Sequence, residues 1–342
     1  MAQSSETPDE WTPPNAFKRP FFLKVGLLYQ SSRCGNQEAY SEFESLASST
    51  SHEMPDDALI VRGYLGDLLM RCRTQLVPLN ERRAKLLLSE FSELSHDDED
   101  TVTCPHLQHL LAMYYMHCCS DKETEMVTLC EKAAAQGNVF SHNTLGVFYT
   151  HGMGTRQNSK KGVEMYTIAA TIGCAVSQCN LGKCYQDGEG CEENLTLSLE
   201  WFQKSAEHGY VDALYNLGIY YQLGRGVGGV NDAKAAQYFQ LAAEQGDAAA
   251  QYNLAWCYRD GRGVVRDDQK AVHLCLLSAK QGDPHAAELL GQAYEEGWGV
   301  DVNIVEAMRY YQQAASGGDE LTTYAAARVL TLADSYREAV ST

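Results

Sequence analysis

Apolar and small residues recur along the middle of this chain on a lattice of about 36 positions. A leucine followed by a small residue occurs at Leu145-Gly146, Leu181-Gly182, Leu217-Gly218, Leu254-Ala255 and Leu290-Gly291, with spacings of 36, 36, 37 and 36 residues. A tyrosine stands three places after each small residue: Tyr149, Tyr185, Tyr221, Tyr258 and Tyr294. Leucine and tyrosine four apart share one face of a helix, so each segment predicts a helix that buries this stripe. The small residue between them lets a neighbouring helix approach closely. Glycines follow at Gly152, Gly188, Gly224, Gly261 and Gly297, and again two places on at Gly154, Gly190, Gly226, Gly263 and Gly299. The two glycines are expected to end the helix, the first in the left-handed C-cap that a residue without Cβ adopts at least cost.

Polar residues suited to capping a second helix come next: Asn158, Asn194, Asn231 with Asp232, Asp267 and Asn303. The second helix carries an apolar pair (Met165-Tyr166, Trp201-Phe202, Tyr238-Phe239, Leu274-Cys275, Tyr310-Tyr311). Small pairs follow, as at Ala169-Ala170, and then a stop at Gly173, Gly209, Gly246, Gly282 or Gly318. Gly228 to Val230 holds the one extra residue of the third unit. A single such hairpin cannot bury its apolar faces, so neighbours must stack into an all-α solenoid.

These residues resemble the Sel-one-like repeat family, relatives of the tetratricopeptide repeats, whose pattern is A-x-x-x-L-G-x-x-Y-x-x-G-x-G-V. The stretch Ala250-Gln-Tyr-Asn-Leu-Ala-Trp-Cys-Tyr-Arg-Asp-Gly-Arg-Gly-Val264 follows it closely. The resemblance implies a right-handed superhelix of stacked antiparallel helical pairs that acts as an adaptor or scaffold rather than an enzyme. Its alternative is a regulatory subunit of a kinase or another enzyme, and a metal-dependent or thiol enzyme ranks below both.

Residues 138–318 carry the five repeats, and residues 104–137, with Leu111-Ala112 and Tyr115, form an atypical unit without loop glycines. Residues 16–103 read as degenerate helical pairs (Phe22 to Tyr29 with Glu38 to Leu46, then Ala58 to Cys72 with Glu81 to Leu94). Residues 1–15 read as a disordered tail, and residues 319–342 as a capping helix and tail with a polar outer face at Asp334, Arg337 and Glu338.

Charge narrows the partners. Acidic residues number 45 and basic ones 27, a net charge of −18 that opposes binding to nucleic acid. The best apolar stretch, Pro20 to Tyr29, is broken by Lys24 and is too short to cross a bilayer. The acidic start lacks the basic region of a secretory signal, which points to the cytoplasm or nucleus. A monomer that binds protein partners, without membrane insertion, is the expectation.

Few residues offer chemistry. Cys104-Pro-His-Leu-Gln-His109 with His117-Cys118-Cys119 is dense in zinc-ligand types, but His106, His109 and His117 sit on one predicted helix, whereas a tetrahedral site draws ligands from two elements. No metal or cofactor is therefore expected. Gly224-Arg-Gly-Val-Gly-Gly229 follows a helix rather than a strand and reads as a turn, not a phosphate loop. Some relatives staple each helical pair with a disulfide, but no repeat here carries a matched cysteine pair, so the 12 cysteines read as reduced, packed thiols. The sequon Asn194-Leu-Thr196 falls at a helix cap and reads as accidental.

In tetratricopeptide-type stacks the first helices line the concave surface. Carried over, positions three before and one, four and five after the small residue face a groove. Its expected binding residues are Lys183, Gln186, Tyr215, Ile219, Gln222, Tyr252, Trp256, Arg259 and Gln292. The groove would be aromatic in its middle and acidic in its last repeat (Glu288, Glu295, Glu296). Asn143, Val147, Thr150, His151, Cys179, Asp187, Leu223 and Asp260 share these positions. Asn180, Asn216 and Asn253 recur one residue further on, in a structural hydrogen-bonding role.

Overall fold

The leucine–tyrosine stripes fold as helices whose ends are written locally. In the computed structural model, which describes residues 105–119, 121–316 and 324–333 with single positions Ser41 and Ser45, the helices fall into two compact units. The first unit, up to Tyr210, holds α1 (Pro105–Cys118), α2 (Glu123–Ala135), α3 (Val139–His151), α4 (Ser159–Thr171), α5 (Ala175–Asp187) and α6 (Leu195–Glu207). The second unit, from Val211, holds α7 (Val211–Leu223), α8 (Asp232–Glu244), α9 (Ala248–Asp260), α10 (Asp268–Lys280), α11 (Pro284–Glu296) and α12 (Ile304–Ala315). Residues 324–333 add a further helical segment. Within each unit every odd-numbered helix packs antiparallel on the next, and every even-numbered one packs on the first helix of the following pair. The described chain is thus all-α, a stack of antiparallel helix pairs.

The tail 1–15 and, apart from the helical Ser41 and Ser45, the region 16–103 lie outside the described residues. So do Cys104, Gly318 and residues 334–342, with Asp334, Arg337 and Glu338.

Caps stand where the polar residues predict them. The side chains of Asn158, Asn194, Asn231, Asp267 and Asn303 each accept a backbone N–H of the first helical turn, a contact worth about 1 kcal/mol. Asp232 lies inside α8 and leaves the cap to Asn231. The first helices close at left-handed glycines, for example Gly261 at φ 67°, whose N–H bonds the Cys257 carbonyl.

Packing explains the small residue of the lattice. A Cβ placed on Gly218 would stand 2.5 Å from the Phe239 ring, and one on Gly182 would stand 2.8 Å from Phe202. The first helix therefore lies directly on the aromatic ring of its partner. The fourth repeat departs from this pattern twice, and the departures compensate: Ala255 replaces glycine, and the fully buried Cys275 replaces the ring. Volume gained on one helix is returned on the other.

The second loop glycine has another task. Gly263 has φ 73°, and a Cβ on it would lie 2.1 Å from the carbonyl oxygen of Asp232, at the start of the preceding second helix. Gly190 and Gly299 meet Ser159 and Asp268 in the same way. Each loop is thereby seated backbone to backbone on the previous pair. Polar ties run in register with it: Ser205 Oγ donates to the Ala175 carbonyl at 2.7 Å and Ser278 Oγ to the Ala248 carbonyl at 2.8 Å. At the far end, Ala325 and Leu332 of the helix at 324–333 are buried, and Arg328 pairs with Glu295 of α11.

Candidate functional site

Two histidines of α1, His106 and His109, are structural. His106 and His109 are buried against the start of α3, where His109 Nδ1 and Ser141 Oγ share a hydrogen bond of 3.1 Å and His106 Nδ1 lies 3.5 Å from Asn138 Nδ2. The side chains of His117 and Cys118 lie outside the described residues, and among the described residues no group of His, Cys, Asp or Glu is arranged to hold a metal ion. Burial pulls His106 down to about 4 from its ordinary 6.5.

Below pH 6.5 the unfolded chain takes up the proton and the folded chain does not, so the stabilisation by neutral His106 is complete above 6.5. It is lost progressively as pH falls to about 4. Urea unfolding of wild type and His106→Gln should show an advantage for wild type at pH 7 that shrinks to nothing near pH 4. An advantage constant over that range would mean that His106 does not titrate as described.

Buried thiols are held away from nucleophilic chemistry. Burial pushes Cys184 and Cys275 up to about 12 and Cys257 up to about 11, so all three stay protonated at neutral pH. They are free thiols packed in the core, as the register of the cysteines predicts. The glycine run from Gly224 to Gly229 is a turn with positive φ at Gly224, Gly226, Gly228 and Gly229.

The groove positions divide by unit. In the first unit Asn143, Thr150 and Cys179 are buried rather than open to a groove. Asn143 Oδ1 accepts from Ser177 Oγ at 2.9 Å and from Asn180 Nδ2 at 3.2 Å, which ties α3 to α5. Asn216 and Asn253 instead donate to carbonyls four residues back, Asp212 and Ala249. The recurring asparagine is structural in both cases. Lys183 and Gln186 are half-buried, and Gln186 donates to Asp187.

In the second unit the first helices carry a half-buried aromatic surface. Tyr215, Ile219 and Gln222 lie on α7, Tyr252, Trp256 and Arg259 on α9, and Gln292 on α11, all half-buried. Leu223 at the end of α7 is 52% exposed. Side chains bridge successive first helices: the Tyr252 ring on α9 lies 5.8 Å from that of His285 on α11. Tyr252 and Trp256 meet edge to face with their ring centres 6.4 Å apart. Burial raises both tyrosines above their usual range, so they remain neutral.

Arg259 has a setting that its helical position does not reveal. Its guanidinium lies 4.7 Å from the ring centre of Trp256 and 5.1 Å from that of Trp298, which stands in the loop between Gly297 and Gly299. Its Nη1 is buried and makes no hydrogen bond, so ring faces hold the cation. Trp298 is the residue of this site that sequence reasoning missed. It occupies a turn whose glycines explain the turn by themselves, and only the preceding repeat brings it to Arg259.

Comparison with known proteins agrees with this architecture. The model of the Sel1 repeat matches residues 140–174, 175–210, 211–247, 248–283 and 284–319. A Sel1 repeat protein from Oxalobacter formigenes has a crystal structure that is 28% identical over 62% of this chain and 83% of that one, with a TM-score of 0.58. The APC/C hetero-tetramer Cut9–Hcn1 matches over 93% of this chain and 64% of the other at 15% identity and a TM-score of 0.50, a likeness of fold alone. A search of curated proteins finds no match.

Proposed function

Because the chain belongs to the Sel1 repeat family, we propose that it is an adaptor whose first-helix face on the second unit binds a segment of a partner protein. The observation that supports this reading is the Tyr252–Trp256 pair, half-buried, packed against the core and held edge to face. Large aromatic side chains ordered in advance lose little freedom on binding, and they are the residues that dominate interface energetics. Tyr215, Ile219 and Gln222 extend the contact along α7, Arg259 and Gln292 complete it, and Lys183 with Gln186 provides a separate contact on the first unit.

The test is capture of partners from native extract by the full chain and by a Tyr252→Ala/Trp256→Ala variant checked for helicity. Loss of two such anchors should weaken a true partner by about 30-fold, enough to remove it from the captured set. Partners held equally by the folded variant would place the binding site elsewhere. A captured enzyme whose rate changes on binding would make the same face that of a regulatory subunit.

A further inference from the structure

Most arginines of the second unit hold a carboxylate. Arg262 pairs with Asp232 at 3.1 Å, Arg266 with Asp268 at 2.9 Å and Arg309 with Glu306 at 2.8 Å, and Arg328 pairs with Glu295. Arg259 does not. Among the described residues it makes no ion pair and no hydrogen bond, although it is half-buried in a chain with 45 acidic residues. Its guanidinium rests on the indoles of Trp256 and Trp298 at 4.7 and 5.1 Å. Ring faces return only part of what it costs to take a cation out of water.

The guanidinium is closed on one side and open on another. Nη1 is buried without an acceptor, and so is the indole N–H of Trp298, so no acceptor of the described chain reaches into the contact. Nε and Nη2 are neither buried nor bonded. These two N–H groups form the edge that takes both oxygens of a carboxylate. Arg266 shows the mode in the same repeat: its Nε and Nη2 donate to the two oxygens of Asp268 at 2.9 Å each. At Arg259 the rings hold the same fork in place with its acceptor position free.

We infer that Arg259 receives a side-chain carboxylate of the bound segment, an Asp or Glu whose apolar neighbours lie on Tyr252 and Trp256. This rests on the adaptor reading and adds the chemistry of the partner. Tyr252, Trp256 and Arg259 follow one another a turn apart on α9, which puts the carboxylate beside the apolar contact. Charge complementarity is local, and the surroundings limit it. Asp260 and Glu296 stand exposed beside Arg259 and Trp298 in sequence, and the whole chain carries −18, so a run of acids or a phosphate is repelled where one carboxylate is admitted.

The probe is a library of random peptides displayed within a carrier loop, without free chain ends, and selected on the full chain. Selected sequences should share one Asp or Glu at a fixed place among apolar residues. The best of them, made with blocked ends, is then titrated calorimetrically beside its amide counterpart, with Gln or Asn at that place. The amide should bind wild type at least about tenfold more weakly. Arg259→Gln should bind the acidic peptide as weakly as wild type binds the amide, and should no longer tell the two apart. If Arg259→Gln fails to fold, the comparison of acid with amide on wild type decides alone. A selection without a shared acidic position, an amide bound as tightly as the acid, or an undiminished preference for the acid in Arg259→Gln would overturn the inference. Tyr252→Ala/Trp256→Ala separates the two readings. Peptides without an acidic position that this variant releases leave the adaptor face standing and remove the carboxylate, whereas peptides that it holds as tightly as wild type remove both.

Discussion

Replacing Gly263 with alanine is expected to destabilise the second unit by about 4 kcal/mol, whereas Gly261→Ala, two residues earlier, costs about 1 kcal/mol. Both glycines have similar positive φ, 67° and 73°, so the backbone penalty for an L residue is shared. Space separates them. A Cβ on Gly261 would meet Arg266 at 3.6 Å, an ordinary contact, while one on Gly263 would stand 2.1 Å from the Asp232 carbonyl oxygen. No side-chain rotation relieves a clash between two backbones, so the loop must leave the preceding helix or the two pairs must move apart. Urea unfolding of the two variants measures the contrast. Equal losses would show that φ alone sets the requirement for glycine, and that the loop is not seated on the previous pair.

The compensated fourth repeat yields the second large effect. Cys275→Phe should cost about 3 kcal/mol, because it restores the ring of the other repeats while Ala255 still occupies its space. At Gly218, Gly182 and their counterparts the partner's ring fills that space, and the Cβ distances of 2.5 and 2.8 Å measure how little room an added methyl would find. Ala255→Gly alone should cost about 1 kcal/mol, through lost helix propensity. The double variant should then be more stable than Cys275→Phe, although each change alone destabilises. Non-additivity of that sign is the signature of a shared volume. Additive losses would mean that Ala255 and Cys275 do not face each other as the register places them.

Binding rests on weaker individual contacts than either of these. The aromatic variant of the second unit therefore reads partner affinity without threatening the fold, because Tyr252 and Trp256 are half-buried rather than central to the core. The fully buried rings Phe148, Phe202, Tyr220, Phe239 and Tyr311 hold that role.

The sequence by itself determined the helices, their ends and the repeat. Each of these is decided within a few residues: an asparagine caps the amides that follow it, a glycine takes a left-handed conformation, and leucine and tyrosine one turn apart make a stripe. Such local rules are legible because the residues that satisfy them are neighbours in the chain. The tertiary structure decided which members of a stripe are covered. Asn143, Thr150 and Cys179 occupy the same helical positions as Tyr252, Arg259 and Tyr215, yet the first three are buried and the others reach the surface. It also placed Trp298 on Arg259, drew His106 and His109 inward and seated Gly263 on Asp232. These contacts join residues some 30 to 40 positions apart, one repeat from the next. No helical period encodes them, because each depends on the size of the side chain that the neighbouring pair presents at that point.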